Sequence, residues 1–274
     1  MKINSVCAWT IAGSDSGGGA GIQVDLNVMN AFGVHGCSVI TALTAQNTLG
    51  VQLVEPVSET MLRAQLQALA ADLPPAAVKT GMLGSAATCR NLADFFSAAL
   101  PHTPIVCDPI LKSTSGADLL DPAALEILKR DLLPLVTVLT PNLPETESIL
   151  GAPIASIEDA AKQILDLGVQ SVLIKGGHST QTDCRDYWTD GSSALWLASP
   201  RINTQATHGT GCILSSAIAA GLALGNTLSD AVIQAKTFLN QCLRSPAGLG
   251  RGHGPMRILP FENAETDRPT IDWE

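Results

Sequence analysis

The 274-residue sequence has no Cys-x-x-Cys pair, no apolar run near the ~20 residues a transmembrane helix needs, and too few bases to balance its acids. Its seven cysteines (Cys7, Cys37, Cys89, Cys107, Cys184, Cys212 and Cys242) are scattered, with no histidines spaced beside them as ligands. This excludes a disulfide framework and a structural zinc site, and reads each thiol except Cys212 as a small buried hydrophobe. Sixteen Lys and Arg against 25 Asp and Glu leave a formal charge of -9. Such a chain repels nucleic acid and anionic membranes, so an anionic ligand needs a local positive site. The opening Met1-Lys2-Ile3-Asn4 has no signal-peptide core followed by a cleavage site, and the protein is expected in the cytoplasm. No fixed sequence period recurs, which removes a solenoid.

What is present is a rhythm. Short β-branched runs at 5–11, 36–41, 77–80, 105–107, 136–140 and 171–174 predict strands. Between them, 59–71, 85–100, 121–133 and 156–167 carry apolar residues at three- and four-residue spacing and predict helices on both faces of the sheet. The segment 184–199, with Asp190-Gly191 at its centre, predicts a hairpin that adds antiparallel strands at an edge. A small-residue buried helix over 212–223 and a second helix over 229–244 follow, then an acidic tail after Pro260 with no chemistry of its own. The expectation is one domain over residues 1–274, an α/β fold with a mostly parallel central sheet.

Three glycine-containing segments carry the candidate chemistry. Gly13-Ser14-Asp15-Ser16-Gly17-Gly18-Gly19-Ala20-Gly21 lacks the Rossmann triplet spacing and the Gly-Lys-Ser/Thr of a Walker loop. It reads as a strand-to-helix connection or as a substrate-covering loop whose backbone approaches a flat ligand. Thr207-His208-Gly209-Thr210-Gly211-Cys212 opens the apolar helix, where converging N–H groups and the helix dipole make an anion hole. A thiolate is favoured in that first turn, so Cys212 is a candidate base or nucleophile, whereas His208 reads equally as a polar loop residue. Gly250-Arg251-Gly252-His253-Gly254-Pro255 either walls a nucleotide site or ends the last helix. At strand ends, Lys175 (in Ile174-Lys175-Gly176-Gly177-His178) is placed to meet phosphates, and Asp108, Asn142 and Glu145 are oxygen donors suited to Mg²⁺ held largely through water.

Taken with Thr41-Ala42-Leu43-Thr44-Ala45-Gln46-Asn47-Thr48 and Lys79-Thr80-Gly81-Met82-Leu83-Gly84, these motifs resemble the ribokinase superfamily, specifically the hydroxymethylpyrimidine and phosphomethylpyrimidine kinases of thiamine biosynthesis, nearly end to end. The resemblance implies a three-layer α/β/α sandwich. It implies transfer of phosphate from ATP, with Mg²⁺, to 4-amino-5-hydroxymethyl-2-methylpyrimidine and then to its monophosphate, and a homodimer. Carried over residue by residue, it places Gly13, Asp25, Gln46 and Met82 at the pyrimidine, and Lys175, Thr210 and Gly254 at the nucleotide. It places Asp108, Asn142 and Glu145 at the metal, and Cys212, with Gly209, Gly211 and Lys175, at the reacting centre. Three positions depart from the family pattern: Ala206 where asparagine is usual, Ile213 where threonine is usual, and Lys112 where an apolar residue is usual. The first two are expected to flank the anion hole. Two other readings stand beside this one, a pyridoxal or pyridoxine kinase and a catalytically silent pyrimidine binder. The Gln46 amide, able to pair with a ring nitrogen and its neighbouring amine, favours the aminopyrimidine.

Overall fold

The computed structural model describes residues 6–112, 116, 119–177 and 183–274. In chain order the elements are β1 (Cys7–Asp15), α1 (Gly21–Ala31), β2 (His35–Asn47), β3 (Gly50–Pro56), α2 (Glu59–Asp72), β4 (Ala77–Thr80), α3 (Ala86–Ala99), β5 (Ile105–Cys107) and α4 (Pro122–Ile127). They continue as β6 (Val138–Leu139), α5 (Leu143–Leu150), α6 (Ile157–Leu165), β7 (Val172–Ile174), β8 (Asp183–Thr189), β9 (Ala194–Pro200), α7 (Thr210–Ala223), α8 (Leu228–Leu243) and β10 (Thr270–Trp273). The described strands join one sheet in the order β10-β9-β8-β7-β6-β5-β4-β1-β2-β3. Its centre, from β7 to β2, is parallel. Both flanks are antiparallel.

Alternation along the central strands divides the side chains between two cores. Ile105, Cys107, Leu139, Val172 and Ile174 pack with the helices α2 to α6 on one face. Val106, Val138 and Leu173 pack with α1, α7 and α8 on the other. This is the three-layer α/β/α sandwich the resemblance implied.

The predicted strands and helices are present, with four additions. β1 and β2 run on to Asp15 and Asn47, so the first glycine loop and Gln46 are carried on strand ends rather than on free loops. β3 pairs antiparallel with β2, and its exposed residues gave no core-facing period. α5 starts inside Pro141-Asn142-Leu143-Pro144-Glu145, which looks like a turn but is a capping box: Asn142 accepts from the Glu145 N–H and Glu145 accepts from the Asn142 N–H. The acidic tail is ordered, because β10 pairs with β9 and Phe261 stacks on Phe32 at 4.5 Å. The helix expected over 121–133 is α for only Pro122–Ile127, then a π turn (Leu128–Leu132) and a 3₁₀ turn (Leu133–Leu135) into which Pro134 fits without an N–H to donate.

Candidate active site

The adjacency of β5, β6 and β7 sets the site, because residues far apart in sequence follow these neighbouring strands at their C-terminal ends: Asp108 after β5, Asn142 after β6 and Lys175 after β7. A cavity of about 1070 Å³ opens along these ends. That is the top of the range for a pocket holding one small ligand, which leaves room for two. Gly13, Gln46 and Met82 line one end, Asp108, Lys175 and Gly209 to Cys212 the middle, and Asp186, Lys236, Asn240 and Arg201 the other end.

The middle is built on an uncapped helix. Helices α2, α3, α4, α5, α6 and α8 are each capped by a Ser, Asp, Asn or Thr side chain. α7 has Gly209 at its N-cap, at φ 84, a left-handed conformation that favours glycine and supplies no side-chain acceptor. The first intrahelical bond runs from Ile213 N–H to Gly209 O at 2.9 Å, so the Gly211 and Cys212 amides lie ahead of the helical ladder and face the cavity. Against them stands an ion pair: Lys175 Nζ is 2.8 Å from Asp108 Oδ1 and 3.9 Å from Glu145 Oε2. A methyl on Gly211 would sit 3.0 Å from Asp108 Oδ2 and 3.3 Å from Lys175 Nζ, so these charges lie directly on the helix start.

Electrostatics divides the group. Burial disfavours the Lys175 ammonium, but the Asp108 and Glu145 carboxylates more than offset this and raise its pKa, so it is a fixed cation. Burial pushes Glu145 up to about 7; Lys175 opposes that rise and Asp108 adds to it. Cys212 departs from the expectation of a helix-stabilised thiolate. It is 5% exposed, and burial pushes its thiol up to about 11, against the pull of Lys79 and the Gly21 N–H and with the push of Asp25 and Asp108. The dipole of one helix start is outweighed by desolvation, so the resting sulfur is a thiol.

At the other end, Gln46 projects from β2 on the same face as Thr44 and lines the cavity with Gly13 and Met82. Asp25, expected there, is not among the lining residues. It is fully buried on α1, where Oδ2 accepts from Thr10 Oγ1 at 2.5 Å and Lys79 Nζ at 2.8 Å, and Oδ1 accepts from Ser216 at 2.6 Å. With both oxygens engaged, it ties α1, β1, β4 and α7 together beneath the site. Gly254 is also displaced from its expected role, since it is buried outside the cavity and its N–H and C=O tie Gln205 and His208 to the last glycine segment. That segment packs under the β2–β3 turn, where the Arg251 and Gly252 N–H groups reach Thr48 Oγ1. Thr210 lines the cavity as the first residue of α7. Ile213 and Ala206 do not face the anion hole. Both are buried in the core with α8, so the hydroxyl lacking at 213 removes no contact in the cavity. Lys112 lines the cavity, and His178 lies outside the described residues.

The family model for phosphomethylpyrimidine kinase matches residues 15–257. The chain belongs to that family. It is 46% identical to a hydroxymethylpyrimidine/phosphomethylpyrimidine kinase of Haemophilus influenzae over 90% of this chain and 94% of the relative. Among solved structures it is similar to the phosphomethylpyrimidine kinase of Clostridium difficile 630 (TM-score 0.76, 39% identity, 86% of this chain and 99% of that one). It is also similar to the pyridoxal kinase of Staphylococcus aureus in complex with AMP-PCP and pyridoxal (TM-score 0.86, 30% identity, 98% and 99%).

A kinase of this family implies a divalent cation, and the donor set fits one held largely through water. Two buried carboxylates, Asp108 and Glu145, share a single lysine, Lys175, at 2.8 and 3.9 Å. Among the described residues no group of three or more His, Cys, Asp or Glu is arranged to hold a metal by itself. Asn142 departs from the expected ligand role: its side-chain oxygen caps α5 and holds Glu145 in place. Sequence reasoning missed Asp186 and Lys236, a buried pair at 2.6 Å in the cavity wall, because one lies in a hairpin strand and the other in a helix with no shared motif. It also gave no role to Asp15, whose carboxylate organises the first glycine loop. Asp15 accepts from the Gly17, Gly19 and Ala20 N–H groups and faces His208.

Proposed function

We propose that this protein phosphorylates the hydroxymethyl group of 4-amino-5-hydroxymethyl-2-methylpyrimidine from ATP and then phosphorylates the monophosphate to the diphosphate, as a step of thiamine synthesis. One juxtaposition carries the reading: the Asp108–Lys175 pair lies against the uncapped start of α7, and Cys212 stands between this anion end and the Gln46 end. The Gly21 N–H that points at the sulfur belongs to the loop lining the Gln46 end, so the acceptor oxygen of a ring held at Gln46 meets the phosphate at Cys212.

In this reading the Gly211 and Cys212 amides and Lys175 take up charge on the transferring phosphoryl oxygens. Asp108 and Glu145 hold Mg²⁺, which supplies neutralisation of phosphate charge when bound. The Cys212 sulfur takes the acceptor proton in the first step through its minor thiolate form. The cavity end at Asp186, Lys236 and Asn240 houses the rest of the nucleotide. Lys112 and Arg201 line the same wall, which suits a triphosphate in an acidic protein.

The decisive experiment measures ADP release with the free pyrimidine, its monophosphate and pyridoxal. Turnover of the first two, with pyridoxal the poorest substrate, is expected. Preference for pyridoxal would transfer the assignment to the pyridoxal kinases, and release with none of the three would leave a silent binder. Described residues include no helix long and apolar enough to cross a membrane, and the proposed place of action is the cytoplasm. We also propose a homodimer through the outer face of β2 and β3, where Leu43 is 51% and Leu53 62% exposed on one face of an edge hairpin. A monomeric wild type in sedimentation velocity refutes it.

A further inference from the structure

His208 sits where two loops meet, and its surroundings are more specific than a polar loop residue requires. Its Nε2 is 2.9 Å from Asp15 Oδ2, and its side chain is only 12% exposed. A β-carbon on Gly19 would collide with the imidazole Cδ2, so the edge of the ring is packed against this glycine. The two ends of the Gln46 amide contact different partners: Nε2 is 3.2 Å from the same His208 Nε2, and Oε1 is 3.2 Å from Thr44 Oγ1, positions that proton accounting exchanges because oxygen and nitrogen of an amide are told apart only by their partners. The side chain expected to read the substrate ring is therefore bracketed by two residues.

Donor and acceptor accounting then orients the amide. Thr44 has one hydroxyl proton, and Ser14 O takes it at 2.9 Å, so Thr44 offers the amide only lone pairs and calls for its NH₂. Asp15 receives the Gly17, Gly19 and Ala20 N–H groups and so acts as an ionised acceptor, which requires the proton on His208 Nε2. That N–H, shared between Asp15 Oδ2 at 2.9 Å and the amide at 3.2 Å, leaves Nε2 no lone pair and calls for the amide oxygen. We propose that His208, held by Asp15, is a positioning residue that fixes the Gln46 amide with its oxygen toward His208 and its nitrogen toward Thr44, and so restricts the site to one order of ring donor and acceptor.

The proposal rests on the aminopyrimidine reading above and adds to it the source of selectivity. Beside its hydroxymethyl carbon the pyrimidine carries an amine donor and then a ring-nitrogen acceptor. Pyridoxal carries an aldehyde acceptor and then a phenol donor, the reverse order. An amide free to rotate by 180° pairs with either order, whereas a fixed one pairs with a single order and leaves the other unmatched.

The test is kcat/KM for the free pyrimidine and for pyridoxal, with KM for ATP measured in parallel, in wild type and in the His208→Leu, His208→Gln and Thr44→Val proteins. His208→Leu is expected to lower pyrimidine kcat/KM by roughly 10- to 100-fold, chiefly through KM, while KM for ATP stays within about twofold. The ratio of pyrimidine to pyridoxal should narrow by a factor of about ten or more. His208→Gln, whose amide N–H still reaches the carboxylate, should restore most of that ratio. Thr44→Val should narrow it independently, which keeps the test open if a His208 variant does not fold. An unchanged ratio in His208→Leu or Thr44→Val, or a glutamine variant indistinguishable from leucine, overturns the positioning role while leaving the kinase assignment intact. A wild type that does not turn over the pyrimidine overturns both.

Discussion

Cys212→Ala separates two possible contributions of that residue, and the structure sets the size of the effect. The thiol is held at about 11, so at pH 8 roughly one molecule in a thousand carries the thiolate. A higher pKa also makes a stronger base. With a Brønsted slope of roughly 0.5, as for thiolate nucleophilicity, three units of added basicity recover a factor of about 30. The net handicap against a base matched to the pH is therefore about 30-fold, which reduces the usual gain of roughly 10²–10⁴ from a placed base to about 3- to 300-fold at pH 8. Below pH 11 the thiolate population grows tenfold per pH unit. Single-turnover formation of monophosphate by wild type should therefore steepen toward tenfold per unit between pH 7 and 9, and the alanine variant should lose that slope. In the second step the acceptor is a monoester with a second pKa of about 6, already anionic across this window, so its rate should be flat and fall less on substitution. The assay is rapid-quench formation of each product at saturating Mg·ATP. A pH-independent first step in wild type, a slope that survives in Cys212→Ala, or equal losses in both steps would refute the base and leave Cys212 as part of the anion hole.

Lys175→Ala removes the cation between Asp108 and Glu145 at the start of α7, and should cost roughly 10²–10³ in kcat with a smaller change in KM for the pyrimidine, measured at saturating substrate. Unchanged kcat across ATP concentrations would move the phosphate site elsewhere. Asp25→Ala strands the fully buried Lys79 ammonium and the Thr10 and Ser216 hydroxyls, and should destabilise the fold by about 3–5 kcal/mol in urea unfolding while KM for the pyrimidine in the folded fraction stays within about threefold. Intact stability with a tenfold rise in that KM would return Asp25 to the ring.

Much of this was legible because it lies in local patterns. Strand runs such as 105–107 and 171–174, the glycine-rich start of α7 and the strand-end positions of Asp108 and Lys175 are properties of neighbouring residues, and the structure keeps them. What escaped depends on partners distant in the chain. Asp25 carries no sign in its own segment that Lys79, 54 residues away, will pair with it, so a buried ion pair rather than a substrate contact occupies its side chain. Asn142 looks like a ligand beside a proline-rich turn until the helix it caps is seen. Cys212 was misjudged in its ionisation because a helix start is visible in sequence while the desolvation that outweighs it is not.

The missing cap on α7 bears on one of the three departures from the family pattern, Ile213. A Ser, Thr, Asp or Asn at an N-cap is worth about 1 kcal/mol, and six helices of the described chain have one. α7 forgoes it and leaves its leading amides to the cavity, an arrangement that backbone alone can provide and that no side-chain substitution in the first turn needs to disturb. α1 is likewise without a side-chain cap, and the Gly21 N–H at its start favours the thiolate form of Cys212. If phosphate recognition falls to N–H groups and to Lys175, as proposed, a hydroxyl at 213 contributes nothing to it, and the position, outside the cavity lining, is available to the core. Ile213 uses it that way, buried with Ala217 and Ala235, and its methyl groups strengthen the packing that keeps the start of α7 in register with the sheet.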